Sequence, residues 1–242
     1  ANTTLNNGYI GYTYNTTTEK YDPLIKLDEK DEKNLLTENG NLFGAGYGEG
    51  AVVEKTNVII HDGHVRNSVY GGGEISAVGW GSVNPTTKAY ISTSHAGATK
   101  VEMYGGEVDN DVFGGGRGYG YDNEGRMVYG DNYFTDGYVF GHTDVNIYRG
   151  TIGTVETIKE ANGSHGNVFG GGDAAPVTGN PLINANYGTV KDIFAGGRGS
   201  TAVVTGNPEV NVTGGSAANI YGGGALADVS GNTSVVISGG AS

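Results

Sequence analysis

The chain has 242 residues, of which 46 are glycine and none is cysteine, and its formal net charge at pH 7 is −12. Nucleic acids and anionic membranes bind proteins through basic surfaces, so this charge argues against both as partners, and no apolar run approaches the length of a membrane-spanning helix. The absence of cysteine excludes disulfide bonds and thiol chemistry.

The first 40 residues lack the repeat that dominates the rest of the chain. Residues 9–14 are rich in tyrosine and predict a β-strand, whereas residues 19–34 are charged with mixed sign. We expect residues 1–40 to form an N-terminal cap over the near end of the repeat array, because an uncovered end would expose free strand edges. The alternative is a solvated arm or linker.

From residue 41 onward, a six-residue phrase recurs six times. It consists of a short polar residue, a branched aliphatic residue, an aromatic residue and three small residues, mostly glycine. The copies begin at Asn41, Ser68, Asp111, Asn167, Asp192 and Asn219. Their spacing is 27, 43, 56, 25 and 27 residues, which indicates a period of 25 to 27 residues interrupted by insertions.

The last period contains the uninterrupted unit. It has three short alternating segments, at about residues 210–213, 219–221 and 228–230, and each is followed by glycine. Short strands separated by glycine turns at a fixed period are typical of a parallel β-solenoid. The predicted fold is therefore all-β: a single three-sided parallel β-helix of about six coils over residues 41–242, with insertions at about 75–98, 118–138 and 154–166.

Equivalent positions of successive coils would stack at about 4.8 Å, so each position of the repeat predicts a ladder of side chains. The aliphatic position predicts one core ladder, formed by Leu42, Val69, Val112, Val168, Ile193 and Ile220. The strand before each phrase predicts another, formed by Val58, Val101, Val145, Ile183, Val210 and Val235. The polar position is interpreted as a structural column of side chains that hydrogen-bond locally.

The repeat predicts two further columns. The aromatic position predicts a stack of rings formed by Phe43, Tyr70, Phe113, Phe169, Phe194 and Tyr221. The position after the small triplet is occupied by Tyr47, Glu74, Arg117, Asp173, Arg198 and Ala225. Opposite charges follow one another in this last column, which we interpret as a solvated ladder of weak ion pairs.

The first two insertions begin just after the glycine triplet in consecutive coils, so we expect them to project side by side and pair into one flap. Exposed aromatic rings and polar side chains together are typical of a sugar-binding surface, because rings contact CH groups and polar groups contact hydroxyls. The candidate ligand-binding residues in this flap are Trp80, Tyr90, Tyr119, Tyr121, Asp122, Tyr129 and Tyr133. The alternative is that these rings form the flap's own small core.

No pattern in the sequence predicts a cofactor. His61, Asp62 and His64 resemble half of a metal site, but a solvated corner of the repeat is the favoured interpretation. A weaker calcium alternative uses Asp122, Glu124, Asp131 and Asp136, whose spacing matches no defined calcium-binding loop. The Gly-x-Gly runs are corners of the repeat, so they do not indicate a phosphate-binding loop.

The Val-x-Val-x-Gly-Gly unit at 210–215 and the Val-Tyr-Gly-Gly-Gly unit at 69–73 resemble those of bacterial exported right-handed parallel β-helix proteins, in particular surface proteins and adhesins. The resemblance covers about residues 41–240. It implies an extracellular or cell-surface location and a structural or adhesive role. β-Helix polysaccharide lyases and hydrolases are similar in scaffold only, since no cluster of carboxylates with Arg or Lys matches their sites.

The first functional hypothesis is accordingly a non-enzymatic exported structural or adhesive protein whose aromatic flap contacts a glycan or a surface protein. An alternative is a subunit of an extracellular fibre, assembled head to tail when residues 9–14 of one copy add a strand to the open last coil of the next. A second alternative is a carbohydrate-active enzyme, with Asp122, Glu124, Asp131 and Arg126 as candidate site residues.

Overall fold

The computed structural model describes residues 1–23, 40–87, 89–121, 127–128, 135–153 and 165–239. Within these ranges the fold is all-β, with strands numbered β1 to β23 in chain order. The described part of the chain contains no helix long and apolar enough to cross a membrane. Three parallel sheets account for most of the strands.

The largest sheet, called here the long sheet, has seven parallel strands. In sheet order these are β1 (Asn2–Leu5), β6 (Lys55–Ile60), β11 (Gly97–Met103), β16 (Gly141–Ile147), β19 (Pro181–Ala185), β21 (Glu209–Val212) and β23 (Ser234–Ile237). The register places Val58 beside Val101, Val101 beside Val145 and Ile183 beside Val210, so the predicted ladder of these residues is confirmed.

The second sheet, called the aromatic sheet, has six parallel strands. They are β5 (Leu42–Phe43), β8 (Val69–Tyr70), β13 (Val112–Phe113), β18 (Asn167–Phe169), β20 (Asp192–Phe194) and β22 (Asn219–Tyr221). Every aliphatic residue of the repeated phrase pairs with the next one, and the rings beside them stack with centroids 4.6 to 5.0 Å apart. The aliphatic and aromatic ladders are both confirmed.

The third sheet, called the short sheet, was not predicted. It contains β2 (Tyr9–Ile10), β7 (His64–Val65), β12 (Glu107–Val108) and β17 (Thr151–Ile152), and single bridges extend it to Thr189 and Ser216. A fourth set of parallel contacts joins single valines, here called the valine bridges: Val53, Val78, Val139, Val177, Val204 and Val229. The sequence predicts three strands per period, whereas parallel pairing occurs at four places. The short sheet is the set that was missed, because its two-residue strands are too short to show alternation.

The chain visits these four places in rotation. From β6 it passes to β7 in the short sheet, to β8 in the aromatic sheet, to the Val78 bridge and then back to the long sheet at β11. The aliphatic side chains of the three sheets meet in one buried core, which includes Val58, Val65 and Val69. The valines of the bridges form a smaller buried cluster of their own.

The sheets do not begin at residue 41. Strands β1 and β2 pair in parallel with β6 and β7, so residues 2–10 continue the long and short sheets. The predicted strand over 9–14 is divided at Gly11, whose φ of 83° favours glycine, and its second half joins the antiparallel hairpin of β3 (Tyr12–Asn15) and β4 (Lys20–Pro23). Both halves are paired within the chain, the first with β7 and the second with β4. Residues 24–39 lie outside the described ranges.

Candidate functional site

The first insertion forms a hairpin, called here the first hairpin. It lies on the surface formed by the parallel sheets and the valine bridges, which is called here the wall. Its strands are β9 (Trp80–Val83) and β10 (Tyr90–His95), which pair antiparallel. The two ends of the insertion meet at Gly79 and Gly97, where a Cβ on Gly79 would lie 2.5 Å from the Gly97 nitrogen. Only glycine allows the chain to leave and rejoin the wall so closely.

One side of the first hairpin is packed against the wall. A Cβ on Gly81 would lie 2.2 Å from the ring of Phe140, so the glycine lets the strand rest on this buried ring. Val83 packs against the same cluster, which also contains Tyr138 and Ala77. Tyr138 and Phe140 therefore support the hairpin from below, and they are called here the aromatic base.

The other side of the first hairpin is open to solvent. Trp80 is 44% exposed, and its ring stands edge-on to His95 at a centroid distance of 5.4 Å. The His95 Nε2 lies 3.5 Å from a Glu54 carboxylate oxygen. The Ser82 and Ser92 hydroxyls are 2.9 Å apart on paired positions of the two strands. An exposed ring thus lies beside an imidazole, a carboxylate and two hydroxyls.

Tyr90, another predicted binding residue, is also exposed on the first hairpin. Its hydroxyl lies 3.0 Å from that of Thr93, which approaches Thr178 of the wall at 3.5 Å. Tyr90 therefore belongs to the same exposed element as Trp80, and its ring is held by a polar contact at its tip.

The expectation that the two insertions pair into one flap is wrong for the residues that the structure describes. Strands β14 (Gly120–Tyr121) and β15 (Met127–Val128) pair with each other and form a separate two-stranded sheet. The ends of this second insertion also meet, since a Cβ on Gly137 would lie 2.5 Å from the Gly118 nitrogen. Pairing within one insertion closes a shorter loop than pairing between two, so its entropic cost is lower.

The remaining predicted binding residues belong to the second insertion. Tyr119 is 7% exposed, so it is an interior residue. Tyr121 lies in β14, where it is paired with Met127. The other predicted residues lie outside the described ranges: Asp122, Tyr129 and Tyr133, together with the enzymatic and calcium candidates Glu124, Arg126 and Asp131. Asp136, the last calcium candidate, is buried.

The charged side chains of the column after the glycine triplet are largely withdrawn from solvent, with exposures of 1% for Arg117, 4% for Asp173, 16% for Glu74 and 27% for Arg198, so the interpretation as a solvated ladder is wrong. The Arg117 side chain is 1% exposed and donates to Glu74 over 3.0 Å. Arg198 donates from Nε to Asp173 over 2.7 Å and from Nη1 to Asp111 over 3.2 Å. We call these residues, with Tyr70, Tyr119 and His165, the charged cluster.

Side chains from the insertions cover the charged cluster. Tyr119 and Tyr70 both donate hydroxyl hydrogen bonds to Asp173, over 3.0 and 3.2 Å, and the Arg117 guanidinium lies 4.5 Å from the Tyr119 ring centroid. His165 Nδ1 lies 3.0 Å from an Asp111 oxygen. These rings shield from solvent the ion pairs that were predicted to lie at the surface. This cover could not be inferred from the period of the repeat.

Burial and neighbouring charges together set the pKa values of the charged cluster. Burial raises the pKa of Tyr119 to about 12, with a further contribution from the Asp173 charge. Burial also raises the pKa of Glu74, although Arg117 opposes the change. For Arg198, burial alone would lower the pKa, but Asp173, Tyr70 and Asp111 outweigh it and the pKa is raised. The arginines therefore remain charged, and the tyrosines act as hydrogen-bond donors.

A second polar cluster joins the hairpin of β3 and β4 to the short sheet. The Tyr12 hydroxyl donates to Asp109 over 3.0 Å and lies 3.1 Å from His64 Nε2, which also contacts Asp109 at 2.5 Å. The other ring nitrogen of His64, Nδ1, lies 3.7 Å from a Glu107 carboxylate oxygen. Burial would lower the pKa of His64, but the Asp109 and Glu107 carboxylates outweigh it and the pKa is raised.

His61 and His64, which the sequence analysis considered as half of a metal site but interpreted as a solvated corner, face different partners. His61 stacks on Tyr104 with a centroid distance of 5.3 Å, whereas His64 faces Asp109. Among the described residues, no group of three or more His, Asp or Glu side chains is placed to hold a metal ion. Comparison of the chain with protein-family models, curated proteins and solved structures gave no match.

Proposed function

We propose that the protein is a non-enzymatic structural β-solenoid of a bacterial cell surface, and that its first hairpin is a contact surface for a glycan. Three observations support the solenoid. The chain rotates through four sets of parallel contacts, the ladders keep their register from coil to coil, and the insertions leave the wall without interrupting the ladders. The cell-surface location is implied by the resemblance of the Gly-Gly repeats to exported β-helix proteins.

On this reading each rotation is one coil of a parallel β-helix, and the six strands of the aromatic sheet represent six coils. The short sheet and the valine bridges form the corners between the longer runs. A scaffold of this kind gains stability from contacts between neighbouring coils and can be extended without new contacts elsewhere, which suits a structural protein.

The observation that carries the binding proposal is the exposed ring of Trp80 beside His95 and Glu54 on a seated hairpin. A tryptophan face packs against the CH groups of a sugar ring, and neighbouring carboxylate, imidazole and hydroxyl groups exchange hydrogen bonds with its hydroxyls. The aromatic base under Gly81 holds this surface in place before binding, which reduces the entropy lost on binding.

The test is a glycan array probed with the wild-type protein and with Trp80→Ala. We expect the wild-type protein to bind a restricted set of glycans and Trp80→Ala to lose that binding by about tenfold or more, since aromatic contacts dominate such surfaces. The matched control is Tyr187→Ala, which removes another exposed ring far along the chain from the hairpin. Equal loss in both variants, or unchanged binding in Trp80→Ala, would contradict the proposal.

A further inference from the structure

Two exposed tyrosine rings lie in direct contact beside the short sheet. Tyr9 of β2 and Tyr21 of β4 stack with a centroid distance of 3.9 Å and an interplanar angle of 13°. They are 44% and 46% exposed, so both phenol groups are accessible from solvent. The chain has 16 tyrosines and no cysteine, so a covalent link between its side chains cannot be a disulfide. Phenol rings in contact offer another route, since oxidation can join them.

The fold brings these two rings together from different sheets. Tyr9 is paired with His64 in the short sheet, whereas Tyr21 is paired with Tyr14 in the hairpin of β3 and β4. Gly11, with its positive φ, lies between the two elements. The ring contact therefore lies where the hairpin meets the short sheet, and a bond at this point would anchor the hairpin covalently.

Contacts at both ends of the hairpin hold Tyr21 in position before any reaction. At the base of the hairpin, the Tyr12 hydroxyl donates to Asp109 over 3.0 Å. Near the turn, the Asn15 side chain donates to Asp22 over 2.6 Å and accepts hydrogen bonds from two backbone amides of the turn. Reacting groups that are held in contact combine far faster than groups that must meet by diffusion. We therefore expect radicals on the two stacked rings to couple with each other before they meet another chain.

We propose that Tyr9 and Tyr21 are the site of an oxidative cross-link, dityrosine, formed by a haem peroxidase and hydrogen peroxide. Each phenol loses one electron and its hydroxyl proton, and the two phenoxyl radicals form a carbon–carbon bond between ring carbons ortho to the oxygens. Each of those carbons then loses its hydrogen as a proton, while a proton returns to each oxygen. Overall, two tyrosines and one hydrogen peroxide give one dityrosine and two waters. The cross-link is independent of Trp80 and its glycan.

Two other pairs of tyrosine rings in the described part of the chain are less suited to this bond. The Tyr104 and Tyr148 rings stack at 4.7 Å, but they directly follow paired residues of β11 and β16, whose hydrogen bonds hold the two strands at their usual spacing. Tyr14 is tilted by 60° to Tyr21 at 5.2 Å, so it does not stack on that ring. Tyr9 and Tyr21 belong to different sheets, so no strand spacing keeps their rings apart.

The first test treats dilute protein with a haem peroxidase and hydrogen peroxide, separates the monomer by size and measures its dityrosine fluorescence. Tyr9→Phe and Tyr21→Phe keep the ring but cannot form the phenoxyl radical, and each should reduce this fluorescence by about fivefold or more, because rings held in contact couple first. The matched control Tyr14→Phe removes a hydroxyl from the same hairpin and should change the fluorescence less than about twofold. Circular dichroism confirms that each variant is folded.

Peptide mapping of the treated wild-type monomer locates the bond without any variant. Trypsin cleaves after Lys20, which separates Tyr9 from Tyr21, so the cross-link should appear as two tryptic peptides joined with the loss of two hydrogen atoms. A monomer without dityrosine, a bond between Tyr104 and Tyr148 instead, or unchanged fluorescence in a folded Tyr9→Phe variant would each overturn the proposal.

Discussion

The two faces of the aromatic sheet are formed by neighbouring residues of the same strands, but they are stabilised differently. The inner face presents aliphatic side chains such as Val112 and Ile193, which pack only against other apolar groups. The outer face presents Phe113 and Phe169, and over these rings lies the charged cluster with Asp111, Asp173 and Arg198. Alternation along a strand therefore separates a dry interior from a buried ionic layer.

The two faces should differ in their tolerance of substitutions. An apolar interior loses stability in proportion to the volume removed, and neighbours relax to recover part of it. A buried ion pair responds differently, because removing one partner leaves the other as an uncompensated charge. The outer face should therefore be the more sensitive of the two, although it lies nearer to solvent.

The outer face is tested by Arg198→Met, for which we expect the largest effect. The substitution keeps the length of the side chain but leaves Asp173 and Asp111 without their guanidinium, and we expect a loss of about 3 to 5 kcal/mol in the free energy of unfolding. Urea denaturation measures it. The control Lys55→Met breaks the exposed pair with Glu54 and should cost no more than about 1 kcal/mol. Similar losses in the two variants would contradict a buried ionic layer.

The inner face is tested by Ile193→Ala. This residue is buried in the main core, so the substitution creates a cavity and should cost about 3 kcal/mol in the same assay. Its matched control is Ile91→Ala on the first hairpin, where the side chain is exposed and the loss should stay below about 0.5 kcal/mol. A loss larger than that of Arg198→Met would reverse the ranking of the two faces.

The smallest expected effect is a pH dependence at the second polar cluster. The folded pKa of His64 is raised above its unfolded value, so its contribution to stability is fully present below the unfolded pKa of about 6.5 and is lost as the pH rises through the folded pKa. Between pH 5 and pH 8, the unfolding free energy of the wild-type protein should fall more than that of His64→Gln. An NMR titration of His64 that gave a pKa below 6.5 would contradict this assignment.

The sequence predicts the ladders of the aromatic sheet well because they rest on six copies of one phrase, which sets the register even where insertions change the spacing. It does not predict strand β1, Asn2–Leu5, because that segment lacks the glycine triplet and only its pairing with β6 reveals its place. The short sheet is missed for a related reason, since two residues carry no periodic signal.

The candidate sites were less predictable than the fold. Trp80 stands out in the sequence as the lone tryptophan, and the structure places it at an exposed surface. The burial of Arg117 could not be inferred, because it depends on Tyr119 folding back over the wall.

The most direct test of the account removes one coil. Residues Ile183 and Val210 are paired on adjacent strands, so deletion of residues 183–209 joins equivalent positions and keeps every remaining ladder in register. Ala225→Arg is included because position 225 then takes the place of Arg198 in the charged cluster. The control deletes residues 183–195, about half a coil, which joins the long sheet to the wrong position of the repeat.

The repeating-coil account predicts that the whole-coil deletion retains a strand-type circular dichroism spectrum and unfolds cooperatively in urea, because each coil contacts only its neighbours. The half-coil deletion should lose the cooperative transition. Unfolding of the whole-coil deletion, or equal behaviour of the two deletions, would contradict the repeating-coil architecture on which the proposed function rests.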